Sequence, residues 1–222
     1  MYLKYAVFAV AALAPLGAAD FWQDKKFTEW NERQVRSVLE DSPWARSVTV
    51  PDDGGRSRRG SRAIGPAKAG KTSPTAPPEA PPVVNAILRW HTALPVKQAV
   101  ARMRFGDAAE TSPEAARILG REEKNYVLGV TNLPASVLDG ALQKSNFRIK
   151  LKGKQDIEAA DVQPESQGRR VNLFLFFPRY AGGAPLIDID DGEVEVQLSV
   201  GDVKISRKFK LKEMLFGGKL EI

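Results

Sequence analysis

Apolar and polar positions alternate most cleanly near the end of the chain. Val194, Val196, Leu198 and Val200 interleave with Glu193, Glu195, Gln197 and Ser199, and after Gly201-Asp202 the alternation resumes with Val203, Ile205, Phe209 and Leu211. A period of two marks a half-buried strand. Gly-Asp between two such runs reads as a two-residue hairpin loop of type II′, with Gly at its first central position. That loop fixes the register: Val200 faces Val203, Leu198 faces Ile205 and Val194 faces Phe209, while on the other face Glu195 meets Lys208 and Glu193 meets Lys210. Arg207 is the one polar residue in the apolar row.

Upstream, Val84, Ala86, Leu88 and Trp90 alternate with Asn85, Ile87, Arg89 and His91, which predicts a strand over Val83 to His91. Pro95 opens a helix whose apolar stripe is Val96, Ala99, Val100 and Met103, and Ser112-Pro113 begins another that stops at Gly120. Tyr126 to Val130 reads as a strand, Pro134 to Lys144 as a helix, and Phe147 to Lys152 as a strand with Phe147, Ile149 and Leu151 on one face. Val171 to Phe177 (VNLFLFF) is apolar on both faces and predicts a central strand.

Ahead of these elements, Phe27, Trp30, Val35, Val38 and Leu39 share one side of a helical projection between Phe27 and Glu40, opposite Glu29, Glu32, Arg33, Arg36 and Glu40. Alone, a helix of this length is marginal, so it is expected to dock on the main domain or on a partner. Ser42-Pro43 suggests a cap and a short second helical turn, followed by a brief strand from Ser47 to Val50.

The first residues, MYLKYAVFAVAALAPLGAA, carry one Lys, an apolar run from Tyr5 to about Leu16, and small residues at Gly17, Ala18 and Ala19. This is the layout of a secretory signal peptide, with cleavage expected after Ala19. The run is interrupted by Pro15 and falls short of the roughly 20 apolar residues a membrane span needs. From Pro51 to Pro82 the chain has no aromatic residue and one strong hydrophobe, Ile64. Such a stretch cannot offset an ordering entropy of ~1 to 2 kcal/mol per residue. The expected organisation is therefore a signal peptide at 1–19, a Trp-rich helix and short strand at 20–50, a disordered basic Pro/Gly-rich linker at 51–82, and a domain at 83–222. The fold class expected is α+β: a largely antiparallel sheet packed by three or four helices, with a long disordered internal loop.

Charge and cysteine narrow the setting. The 33 Lys and Arg against 27 Asp and Glu give a net charge of +6, which falls to +5 when Lys4 leaves with residues 1–19. A mild excess of this kind does not imply a nucleic-acid partner. The absence of cysteine excludes disulfides, thiolate metal sites and a Cys nucleophile. A disulfide-free exported protein fits a bacterial envelope, periplasmic or extracellular setting.

Each chemical motif has a plainer reading. Gly65 to Thr72 (GPAKAGKT) matches the G-x-x-x-x-G-K-[ST] phosphate loop. A working phosphate loop is held between a buried strand and a helix N-terminus; here RSRRGSRA precedes it and SPTAPPEAPP follows, so the match is judged coincidental. Arg56, Arg58, Arg59, Arg62, Lys68 and Lys71 make the linker basic without aromatic residues to stack on bases. That favours a solvated spacer, or electrostatic contact with an anionic envelope, over nucleic acid. Lys204, Lys208, Lys210 and Lys212, with Arg148, Lys150 and Lys152, read as solvent-facing strand sides. In Asp188, Asp190, Asp191 and Glu193 the ligand spacing of a calcium loop fails, and a turn is the better account. His91 is the only histidine, so a two-His zinc motif is impossible, and neither G-x-S-x-G nor Ser-x-x-Lys occurs. No catalytic, cofactor-binding or metal-binding residue is assigned, and no cofactor is expected. Paired carboxylates for glycoside hydrolysis stay open, with Asp188 and Asp190 the first to consider. The tryptophans suit a core better than a sugar site.

Trp22, Phe27-Thr28-Glu29-Trp30, Asp41-Ser42-Pro43-Trp44-Ala45, Arg89-Trp90 before Ala93-Leu94-Pro95-Val96, and Lys208-Phe209-Lys210-Leu211-Lys212-Glu213 with Gly218-Lys219-Leu220 together resemble a group of uncharacterised exported bacterial proteins with an N-terminal Trp-rich helix and an SPWA motif. The resemblance implies that the N-terminal helix and the main domain belong together; it carries no activity and no functional residues. The expected function is a non-enzymatic interaction or adaptor module of the envelope, its partner a protein or a wall polymer. The contrasting reading is a small carbohydrate-active hydrolase using paired carboxylates.

Overall fold

Strand pairing organises this protein, and the computed structural model describes it for residues 21–52, 82–139, 142–201 and 203–222. The expected signal peptide, the Gly65–Thr72 match and the 51–82 segment from residue 53 to residue 81 lie outside the described residues. The described chain is α+β with antiparallel sheets, as the patterning predicts. Its helices are α1 (Phe21–Asp24), α2 (Glu32–Glu40), α3 (Leu94–Phe105) and α4 (Pro113–Gly120). The larger sheet, in spatial order, runs β1 (Ala45–Pro51), β2 (Val83–Trp90), β3 (Asn125–Pro134), β7 (Arg170–Pro178) and β6 (Asp161–Gln167). The smaller runs β11 (Val203–Lys210), β10 (Glu193–Val200), β4 (Phe147–Leu151) and β5 (Ile157–Glu158). Two-residue pairs complete the set: β8 (Tyr180–Ala181) with β9 (Ala184–Pro185), and β12 (Leu215–Phe216) with β13 (Lys219–Leu220). Among the described residues no helix is long and apolar enough to cross a membrane.

One buried apolar cluster draws on both sheets and on the N-terminal segment. Trp90 of β2 meets Phe209 of β11 edge-on at 5.8 Å and Tyr126 of β3 at 6.0 Å, so the two sheets share their inner faces. The hairpin register is as the loop chemistry predicts: Val200 pairs Val203, Leu198 pairs Ile205, Val194 pairs Phe209, Glu195 pairs Lys208 and Glu193 pairs Lys210. The ion pairs, however, do not follow the register: one runs to the diagonal neighbour and the other to the turn after β11. Lys208 Nζ donates to Glu193 Oε1 at 2.8 Å and Lys210 Nζ to Glu213 at 2.9 Å, while Glu195 accepts from Ser206 and Gln197. A lysine is long enough to reach the diagonal neighbour in a twisted pair. Arg207 escapes the apolar row because β11 is an edge strand: it stays exposed and donates to its neighbour's carbonyl at Ser206.

Several boundaries depart from the pattern. The helix expected over Phe27–Glu40 is split into a 3-10 turn at Phe27–Glu29 and α2, because Asn31 sits in extended conformation and caps α2. Its side chain accepts from Gln34 N–H at 2.9 Å, and Gln34 accepts from Asn31 N–H at 3.1 Å. This reciprocal box leaves Val35, Val38 and Leu39 on the buried side. Ser42-Pro43 opens no helix. Ser42 Oγ donates to Val38 O at 2.7 Å and accepts from Trp44 N–H, which turns the chain directly from α2 into β1. Residues 42–45 of the SPWA motif are thus a core corner, with Trp44 and Ala45 fully buried.

None of the described residues between Pro134 and Lys144 lies in an α-helix. β3 continues through an irregularity between Val130 and Leu133, and Pro134 pairs with Arg170. Ala135 N–H donates to Arg169 O at 3.1 Å, and 3-10 turns follow at Ala135–Asp139 and Lys144–Asn146. Sheet pairing has displaced a local helical preference. The VNLFLFF strand is interior but buried on one face: Val171, Leu173, Leu175 and Phe177 are covered, while Asn172, Phe174 and Phe176 are half-buried. Met103 leaves the expected stripe of α3 and is 65% exposed, the buried residues being Pro95, Val96, Ala99 and Ala101.

The N-terminal segment docks in cis. Trp22 lies edge-on to Trp44 at 5.6 Å, and Trp44 Nε1 donates to Glu221 O at 2.8 Å. Arg102 Nε of α3 donates to Trp30 O at 3.0 Å. Replacing Asn31 with Ala removes the side-chain acceptor for Gln34 N–H while keeping the backbone N–H that Gln34 accepts from, and is expected to cost about 0.5–2 kcal/mol; urea denaturation reads the loss, and Asn31→Asp, which keeps the acceptor, recovers most of it.

Candidate functional site

Helix α3 separates two concavities. Along its C-terminal half it faces α2 across a groove of about 680 Å³ walled by Trp30, Val35, Leu39 and the exposed Met103, with Arg36 and Glu40 at the margin. The apolar wall follows from α2: its capping box at Asn31 sets the helix phase that turns Val35 and Leu39 inward. Arg102 crosses one end, donating to Trp30 O and pairing with Asp107 at 2.6 Å. The lining is apolar at the floor and charged at the rim, which suits an amphipathic segment.

At the N-terminal end of the same helix lies a polar pocket of about 670 Å³, with Lys97, Arg121, Glu123, Lys124, Arg179 and Tyr180 on its walls. Lys97 Nζ donates to Arg121 O at 2.7 Å and lies 3.6 Å from Glu123, which Arg121 also approaches at 3.3 Å. Burial lowers the Lys97 ammonium pKa, with Glu123 opposing and the Arg179 and Arg121 charges adding to the fall. Arg179 lies over the Tyr126 ring at 4.8 Å and donates to Ile222 O. Glu221 accepts from Leu94 N–H at 3.1 Å, supplying from the far end of the chain the cap that Ala93 lacks. Burial raises the Tyr126 phenol pKa; its oxygen accepts from Ile187 N–H at 3.2 Å.

The residues singled out by motif fall elsewhere. Asp188 accepts from Asp190 N–H at 3.1 Å and Asp191 accepts from Asp188 N–H at 2.8 Å, so the acidic cluster builds a 3-10 turn closed by Gly192 at φ 71°. Asp191 also pairs with Lys154. Among the described residues no group of three or more His, Asp or Glu is placed to hold a metal ion. All four tryptophans are buried. Arg148 and Lys150 are exposed on β4, across β10 from Lys204 and Lys208 on β11, with Glu195 between Lys150 and Lys208.

His91 packs on the outer face of the large sheet. Arg89, Gly129 and Phe174 lie in one cross-strand row, and the imidazole covers Gly129 and meets Phe174 edge-on at 5.2 Å. A Cβ at position 129 would come within 2.2 Å of His91 Nε2, so glycine is required there by contact. Arg89 Nη2 lies 3.5 Å from the same nitrogen while Nη1 donates to Leu39 O at 3.0 Å. Burial, with the Arg89 charge, pushes the His91 pKa from 6.5 to about 3.

The polar pocket leaves little trace in the sequence because its side chains come from α3, the 121–124 connection, the end of β7 and the end of the chain. The one local signal is the charge run Arg121-Glu122-Glu123-Lys124 following α4.

The depressed His91 pKa carries a sign. Between about 3 and 6.5 the unfolded chain binds the proton and the folded chain does not, so this contribution is intact above pH 6.5 and is lost as pH falls toward 3. The slope is at most ~1.4 kcal/mol per pH unit. His91→Phe is expected to flatten it in urea titrations across that window; parallel curves for both proteins would contradict the assignment. Comparison with known protein families, with curated proteins and with solved structures finds no match to this chain.

Proposed function

We propose that this protein is an exported, non-enzymatic interaction module of the bacterial envelope, and that the groove between α2 and α3 receives a segment of a partner protein. The observation that carries this reading is the groove itself, with Trp30, Val35 and Leu39 as its wall and Met103, 65% exposed, at its edge. Methionine is flexible and polarizable, and is favoured where a surface must adapt to its partner. The location rests on the signal-peptide layout of residues 1–19, and the resemblance to exported proteins with the SPWA motif belongs to the same proposal. In this reading the basic 51–82 segment supplies electrostatic contact with anionic envelope polymers.

The hydrolase alternative draws no support from Asp188 and Asp190, which serve a turn. Nor does Glu123 favour it, held as it is between Lys97 and Arg121.

Site-specific photo-crosslinking in the producing cell tests the groove. A photoreactive residue at position 103 is expected to give a discrete adduct that the same probe at position 204 does not. Identical adduct patterns at both positions, or none at 103, would contradict the assignment.

A further inference from the structure

The polar pocket at the N-terminal end of α3 has more cationic than carboxylate partners. Lys97, Arg121, Lys124 and Arg179 line it, against Glu122, Glu123 and Glu221. Glu123 is shared between Lys97 at 3.6 Å and Arg121 at 3.3 Å, and Glu221 is taken up by Leu94 N–H. Arg179 lies over the Tyr126 ring and donates from one Nη to the Ile222 oxygen, which leaves further N–H donors, and among the described residues neither it nor Lys124 forms an ion pair with a side-chain carboxylate. Four cations against three carboxylates leave the lining with a net positive charge, which an incoming anion neutralises.

The rim adds a second feature. Tyr180 follows Arg179 directly, lines the same pocket and is 54% exposed, although a large aromatic side chain is usually well buried. It offers a flat apolar face beside the cations. The volume, about 670 Å³, lies in the range of small-molecule sites.

We propose that this pocket binds an anionic saccharide unit, its carboxylate or phosphate held by Arg121, Lys124 and Arg179 and its ring laid against Tyr180. A bound anion also favours the charged form of Lys97, which burial disfavours in the free protein. The site is distinct from the α2–α3 groove, though both use α3: Lys97 stands in its first turns and Met103 near its end, about 9 Å apart along the axis at 1.5 Å per residue. Protein on one side and anionic glycan on the other is the arrangement of an adaptor.

Titration of the intact chain by heteronuclear NMR, with D-glucuronate, glucose 6-phosphate, glucose and inorganic phosphate as probes, tests the proposal. Saturable shifts confined to residues 119–124 and 179–180 are expected with D-glucuronate or glucose 6-phosphate, and none with glucose. The stronger of the two assigns carboxylate or phosphate as the natural group. Arg121→Gln and Lys124→Gln alter exposed side chains, so the fold should persist while affinity falls about tenfold for a lost charge-assisted contact. Tyr180→Ala should weaken the sugar ligands and leave inorganic phosphate unaffected. Absence of saturable binding by either anionic sugar, equal binding of glucose, or insensitivity to Tyr180→Ala would overturn it. The position-103 crosslink should survive all three substitutions, so failure here is separable from failure of the groove assignment.

Discussion

The pairing of β1 with β2 is the constraint on which the rest depends. Seven residues from Ala45 to Pro51 run antiparallel to Arg89 through Val83, and Asp52 N–H donates to Pro82 O at 2.7 Å where the ladder ends. This pairing brings together two parts of the sequence separated by thirty-odd residues, at a closure cost that grows only slowly with loop length. The offsetting gain is apolar: Val48 and Val50 join Ala86 and Leu88 on the inner face. Once β1 is in place, Trp44 at its start is fixed, and with it Trp22, the corner at Ser42 and the end of α2. The N-terminal segment is built into the sheet.

A second dependence runs through α3. Its buried residues, Pro95, Val96, Ala99 and Ala101, are small and let the helix lie close to the sheet, while Arg102 ties it to Trp30 and Glu221 closes its first turn. Both concavities are by-products of that placement. Where α2 approaches its last turns the walls are apolar, and where the 121–124 connection and Arg179 approach its first turns they are charged. The chemical difference between the sites follows from which neighbour each end of one helix meets.

Legibility in the sequence tracks the range of the interactions. The β10–β11 hairpin can be read to the residue because a two-residue loop fixes its register and both faces are patterned, although Lys208 pairs with the diagonal Glu193 and Lys210 with Glu213 in the following turn. The capping box at Asn31 and Gln34 is equally local, but the apolar positions Phe27 and Trp30 point to a continuous helix and mask it. At Pro134 the local pattern favours a helix, and pairing with Arg170, some thirty-five residues downstream, overrides it. The polar pocket is hidden for the same reason, its cations being neighbours only after folding. The acidic turn at Asp188 and the buried tryptophans, by contrast, are legible as structural features because capping and core packing leave short-range signatures.

The central claim, that the N-terminal segment and the main domain fold as one unit, is tested most directly by cutting between them. With a specific protease site replacing residues 65–72, cleavage of the folded protein is expected to leave the two fragments co-eluting as a native pair. They should separate only when denaturant unfolds the whole, in a single transition. Separation of the fragments under native conditions, with residues 83–222 keeping their fold alone, would contradict it.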